Sequence, residues 1–204
     1  DTALRQRIDL RVSAAKQLAD QLGRPKQLAL IARGAGLIAH LLATQGFACT
    51  ALEPRPGDRT LARQCLVNQS YPGEAPRMVD PPPGAAGTLP FEDAGVDMAL
   101  LCDEIERHPN PVGLLGELRR VLSPEGVAII VTQRPRGPMP MPGDAEHRYQ
   151  PDELLRQVQA AGGWRFLSDP RGSNPEQPII LVLRSAAPAG APDPEAALAG
   201  AGSA

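Results

Sequence analysis

Two clusters of residues in this chain carry groups able to do chemistry. The first is Asp103, Glu104, Glu106 and His108, four titratable side chains inside the segment Cys102-Asp-Glu-Ile-Glu-Arg-His-Pro-Asn-Pro111. Carboxylates and an imidazole so spaced suit proton transfer, provided one of them lies within hydrogen-bond reach of the reacting proton. The same residues also make an ordinary polar loop at a strand tip. A general base needs geometry as well as identity, so the loop is the favoured reading. The second cluster is Arg33-Gly34-Ala35-Gly36, followed at a distance by Glu53. Glycines between an apolar run and a helix let the backbone approach a ligand closely, and the start of the helix offers unpaired N–H groups. Glu53 closes the next apolar run and, taken alone, reads as a solvated loop acid.

Metal and disulfide chemistry have no footing. Cys49, Cys65 and Cys102 are dispersed without a CxxC pair, as are His40, His108 and His147. An odd, sparse cysteine count fits free thiols in a reducing compartment, a bacterial cytoplasm or an organelle matrix, rather than a zinc site. The formal net charge of −2 provides no basic field to capture nucleic acid. No apolar run approaches the ~20 residues that span a bilayer, so a soluble chain is expected. Its 204 residues suit one domain with a substantial core.

The elements that must position these groups follow from apolar periodicity. Leu4, Ile8, Val12, Ala15, Leu18 and Leu22 recur at helical spacing up to Gly23 and Pro25, which predicts an amphipathic helix over 1–25. Strands are expected near 27–31, 47–52, 76–79, 96–102, 126–132, 163–168 and 178–184. Helices are marked by Leu37, Ile38, Leu41 and Leu42, by Leu61, Cys65 and Leu66, by Pro111 to Leu122, and by Leu154, Leu155 and Val158 behind Pro151. Strands alternating with helices argue for a parallel sheet covered on both faces. The last two strands have only a loop between them and should pair antiparallel at an edge. In such sheets ligands bind beyond the carboxyl ends of the strands, where strand order reverses.

Five segments then carry a resemblance. They are Leu28-Ala-Leu-Ile-Ala-Arg-Gly-Ala-Gly36, Leu52-Glu53-Pro54, Leu89-Pro-Phe-Glu-Asp-Ala-Gly-Val-Asp97, Gly116-Glu-Leu-Arg-Arg-Val-Leu-Ser-Pro-Glu-Gly126 and Tyr149-Gln-Pro-Asp-Glu-Leu154. In this order and spacing, over about residues 26–184, they resemble the class I S-adenosylmethionine-dependent methyltransferases, most closely the ubiquinone/menaquinone-type small-molecule branch. The resemblance implies a Rossmann-like seven-stranded, mostly parallel sheet with helices on both faces and an antiparallel last strand pair. It also implies a methyltransferase-like domain over 26–185, with the Ala/Pro/Gly-rich tail 186–204 outside it.

By that resemblance Gly34, Gly36 and Glu53 are the cofactor-binding residues, Glu53 accepting both ribose hydroxyls. Other anchors of the family pattern are absent. Leu30 stands where an acid holds the cofactor's amino group, Ala32 replaces the first glycine, and Ala85 replaces the aspartate on the adenine amine. Arg33 adds a positive charge beside a cofactor that is itself cationic. Gln133 and Arg134 fall on the acceptor side, where they bind an acidic acceptor or simply cap the sheet; His147, Arg148 and Tyr149 fall where an acceptor lid sits in the family, or form a surface loop.

Two functions stay open. One is a methyltransferase-like protein with a degraded S-adenosylmethionine pocket, cofactor binding weak or lost, serving as a non-catalytic structural or assembly subunit. The other is an active, divergent methyltransferase acting on a small molecule. The first is the expectation, with the tail 186–204 docking on other protein subunits. That tail has almost no large apolar residue beyond Leu198, so folding alone does not offset the ~1–2 kcal/mol per residue of ordering it.

Overall fold

The computed structural model describes residues 9, 12–17, 23, 25–84, 87–134, 147–172 and 177–186. Seven strands form one sheet: β1 Leu28–Ala32, β2 Cys49–Leu52, β3 Arg77–Val79, β4 Val96–Cys102, β5 Leu122–Thr132, β6 Trp164–Phe166 and β7 Ile179–Ser185. Their order is β3-β2-β1-β4-β5-β7-β6. β1 pairs in parallel with β2 and β4, β2 with β3, and β4 with β5, whereas β7 runs antiparallel to both β5 and β6. The sequence expectation of a mostly parallel seven-stranded sheet with an antiparallel last pair holds, with β7 inserted between β5 and β6.

Helices α1 Ala35–Thr44, α2 Arg59–Gln64, α3 Pro111–Val121 and α4 Pro151–Ala161 cover the sheet. Residue 9 and residues 12–17 are also helical, and Ala15 is fully buried against the α1 side of the sheet. Most of the expected 1–25 helix and of the 186–204 tail lies outside the described residues.

Local chemistry sets the boundaries. α3 opens with Pro111 at its first position, and the Asn110 side chain accepts the Gly113 N–H at 2.9 Å, a side-chain cap on an otherwise orphan donor. α4 also starts on a proline, carries Asp152 and Glu153 in its first turn, where the helix dipole favours acids, and stops at Gly162 with φ 63°. Central strands alternate their side chains between two cores. Ile31, Leu101 and Ile130 pack toward α3 and α4 with Leu115, Leu118 and Leu154. Leu30, Leu100 and Ile129 pack toward α1 with Ile38 and Leu42. All five residues of β1 are buried, as expected for a strand enclosed by helix layers on both faces.

Two expectations need correction. β5 begins at Leu122, earlier than residue 126, because Val96 pairs with Leu122 before a bulge resets the register to Met98 and Val127. In α2 it is Ala62 that is buried, whereas Leu61 is 63% exposed, so the helix turns its small side chain inward.

Candidate functional site

Strand order reverses between β1 and β4, and the chain leaves both strands at the same end of the sheet. β1 runs into Arg33 and Gly34, and β4 into Asp103. Gly34 caps α1 in the left-handed region, φ 73° and ψ 29°, and a Cβ there would meet nothing within 4 Å. Glycine is thus required for its backbone angle, and the space beside it stays open. Gly36 has a different reason. A Cβ at that position would overlap the Ala62 carbonyl and lie 2.6 Å from Ala62 Cα, so its missing side chain lets α1 and α2 touch. The sequence could mark both glycines but not tell a ligand approach from a helix contact.

Glu53 is brought to this turn by β2, and its carboxylate is turned inward. Oε2 accepts the Gly34 N–H at 2.8 Å and the Ala35 N–H at 3.2 Å, and Oε1 accepts the Arg55 N–H at 3.2 Å. The residue is 0% exposed. Arg59 holds the backbone next to it, donating from Nε to the Glu53 carbonyl and from Nη2 to the Pro54 carbonyl. Glu53 therefore occupies the α1 N-terminus, an anion-favouring position, and is not the solvated loop acid it resembled when read alone. Leu30, three residues before Arg33, is wholly buried in the α1-side core with Ala32.

Beyond β4 the acid cluster is assembled around buried carboxyls. Glu104 is 8% exposed, its Oε1 has no hydrogen-bond partner, and burial pushes its pKa up to about 7. Glu106 is also buried. Its Oε1 accepts the Gln133 N–H at 3.2 Å, its Oε2 has no partner, and burial raises its pKa as well. Asp103 takes φ 52° at the strand tip and receives the Gln133 side-chain amide at 3.3 Å. The cluster is thus more buried than a polar loop, which its sequence does not reveal. Arg134 turns from this site to the Gln177 and Pro170 carbonyls, and His147 pairs with Glu153 at 2.6 Å.

Two cavities flank the Glu53 turn. One, of about 410 Å³, is walled by Ile31, Leu52, Leu89 and Leu114, with Glu104 and His108 supplying polar groups. The other, of about 480 Å³, includes Arg33, Gly34, Glu53, Asp103, Gln133 and Arg148. Leu89, at the rim of the first, is held from behind. Glu117 accepts the Leu89 N–H at 3.0 Å, and Arg120 donates to the Leu89 and Phe91 carbonyls, each at 3.0 Å. This clamp joins two of the motifs quoted above, and neither motif alone discloses it. Ala85 lies outside the described residues. Among the described residues no group of His, Cys, Asp and Glu is arranged to hold a metal ion, and no helix is long and apolar enough to cross a membrane.

A family model described as a methyltransferase domain matches residues 30–130, the stretch from β1 into β5 that builds this site. Over that stretch the chain belongs to the methyltransferase-domain family. Its fold is the class I methyltransferase fold, as solved structures confirm. The cyclase SpnF aligns with a TM-score of 0.67 at 16% identity, over 87% of this chain and 81% of that one. A Burkholderia thailandensis 1,6-didemethyltoxoflavin-N1-methyltransferase, solved with 1,6-didemethyltoxoflavin and S-adenosylhomocysteine bound, aligns with a TM-score of 0.62 at 21% identity, over 87% and 79%. A methyltransferase in complex with the Haloferax volcanii Trm112 methyltransferase activator aligns with a TM-score of 0.65 at 13% identity, over 90% and 98%. At these identities the likeness is one of fold. No curated protein sequence matches the chain.

Within this methyltransferase domain, the three residues expected to bind cofactor come together at the β1 turn, and each has a structural partner of its own. Gly34 donates its N–H to Glu53, Gly36 abuts Ala62, and Glu53 is bonded to the turn.

Proposed function

We propose that this chain is a methyltransferase-fold protein whose S-adenosylmethionine site is satisfied by its own side chains, and that it acts as a non-catalytic subunit of a larger assembly. The observation that carries this reading is Glu53, fully buried with both carboxylate oxygens bonded to backbone N–H groups of its own turns. A ribose would have to displace those bonds. The amino-group end fits the cofactor no better, since Leu30 is a core residue with no polar atom to offer. The residues present therefore do not suit S-adenosylmethionine. Charge-assisted hydrogen bonds contribute ~1.5–3 kcal/mol each. Absence of two acid anchors thus weakens binding by roughly two to four decades. Assembly with another protein has a counterpart in the fold relative solved with its activator protein.

A second reading, an active divergent methyltransferase for a small molecule, is favoured by the persistence of the 410 Å³ cavity with Glu104 at its wall. Calorimetric titration with S-adenosylhomocysteine separates the two. The subunit reading expects no saturable heat at micromolar ligand, with Ala85→Asp, alone or together with Leu30→Asp, raising affinity. Micromolar binding by the unaltered protein, lost in Glu53→Ala, promotes the enzyme. For the assembly, deletion of residues 186–204 is expected to leave the domain folded but absent from the complex isolated from its source cells. Normal incorporation of the truncated chain removes that part of the reading.

A further inference from the structure

The 410 Å³ cavity has walls of one character and polar groups of another. Ile31, Leu52, Pro81, Pro82, Leu89 and Leu114 are apolar. The two titratable groups on it are both able to accept hydrogen bonds. Glu104 is more than nine-tenths buried, and its Oε1 has no hydrogen-bond partner. His108 has Nδ1 2.8 Å from the Asn110 carbonyl oxygen and 3.2 Å from the Asn110 N–H; the shorter contact favours the tautomer with the proton on Nδ1, in which Nε2 is an acceptor. A buried carboxylate without a partner is costly unless something supplies hydrogen bonds and positive charge. Pockets of this size, apolar with a few convergent polar groups, are the usual form of a small-molecule site.

We propose that this cavity binds a small organic cation, a planar or branched apolar body against Ile31, Leu52 and Leu114 whose protonated amine or amidinium donates to Glu104. The inference rests on the reading that S-adenosylmethionine does not occupy the site, and it names what the site takes instead. An amidinium suits the two acceptors because it presents several N–H groups in one plane. A carboxylate or phosphate ligand is disfavoured, since it would bring like charge to Glu104.

Charge around Glu104 makes the prediction specific in pH. Arg107 and Arg55 favour its ionised form, Glu53 and Glu106 oppose it, and burial opposes it most. His108 is the other titratable group on this wall. Ionisation of Glu104 about pH 7 should therefore switch affinity on as pH rises.

The test is calorimetric titration of the full chain with benzamidine and with its neutral isostere benzamide. At pH 8 benzamidine should bind about 10–100-fold more tightly than benzamide, the factor expected of one charge-assisted hydrogen bond. Near pH 5.5 the preference should shrink toward unity, although benzamidine keeps its charge. In Glu104→Gln the preference should disappear at both pH values. Equal binding of the two compounds at pH 8, or a preference that survives Glu104→Gln, overturns the proposal. The pH series on the unaltered protein keeps the test decisive should the variant fail to fold. S-adenosylhomocysteine titrated in parallel separates the failures. Its micromolar binding sinks the subunit reading whatever benzamidine does, whereas failure of benzamidine with no response to S-adenosylhomocysteine sinks only this inference.

Discussion

The Glu53 carboxylate accepts the Gly34 N–H at 2.8 Å, so the acid at the end of β2 caps the turn at the end of β1. The same oxygen takes the Ala35 N–H, which places a buried negative charge on the first turn of α1. This makes Glu53 part of the framework of the sheet's carboxyl end. Glu53→Ala leaves buried donors unsatisfied and should cost about 1–3 kcal/mol of unfolding free energy. Urea denaturation measures it. A cost below about 0.5 kcal/mol, typical of a surface substitution, would mean the carboxylate does nothing for the fold.

The two glycines of the turn should respond differently to alanine. Gly34→Ala adds a Cβ in open space but forces a left-handed backbone, a penalty of roughly 1–2 kcal/mol. Gly36→Ala drives a methyl into the α2 backbone at Ala62 and should cost about 1–3 kcal/mol or more, because backbone cannot step aside as a side chain does. Denaturation midpoints of the two variants, compared at equal slope, check the ranking. If Gly36→Ala is the milder, the helices are not as tightly apposed as described.

Much of the fold was legible because a parallel sheet writes itself as apolar runs: Leu28–Ala32 and Met98–Cys102 are continuous hydrophobic stretches bounded by polar residues. The bulge that starts β5 at Leu122 was not legible, since Ser123-Pro124-Glu125 looks like a turn and joins the strand only through its neighbour. Nor does sequence say which way a side chain turns. Glu53 could be placed at the strand end by spacing, but its inward rotation depends on N–H groups about 20 residues earlier. Glu104 and Glu106 read as loop acids because nothing in Cys102-to-Pro111 discloses how deeply the fold buries them.

Stability should fall as pH rises from about 4.5 toward 7. Glu104 has an ordinary pKa of 4.5 and a folded value of about 7, so the unfolded chain loses this proton first. Fewer protons bound in the unfolded state means an unfolding free energy that declines with pH across that window and levels off above it. Glu106, also raised by burial, acts in the same direction. At 1.36 kcal/mol per pKa unit the Glu104 contribution is on the order of 3 kcal/mol. Urea titrations at pH 5 and pH 7.5 should show the decline in the unaltered protein and a smaller one in Glu104→Gln. Identical pH dependence in both would show that Glu104 is hydrated.

The clamp behind Leu89 should depend on the shape of arginine and not only on its charge. Arg120 donates to the carbonyls of Leu89 and Phe91 while pairing with Glu117 at 2.8 Å and with Asp93. Glu117 in turn accepts the Leu89 N–H, so both polar groups of the Leu89 backbone end on one ion pair. A planar guanidinium spans these acceptors at once, and a lysine ammonium is a compact point charge on a flexible stem. Arg120→Lys is therefore expected to lose about 1–3 kcal/mol, close to the loss in Arg120→Ala. Since Arg120 holds the Glu117 carboxyl below its ordinary pKa, the stability it contributes is present above pH 4.5 and lost as pH falls below it. Denaturation of Arg120→Lys, Glu117→Gln and the double variant should give a combined loss smaller than the sum of the singles, as for residues acting in one network. Amide exchange at Leu89 should speed up in each. Full stability and unchanged exchange in Arg120→Lys would show that the loop is held by Leu89 packing against Leu114 and its neighbours, with the ion pair idle.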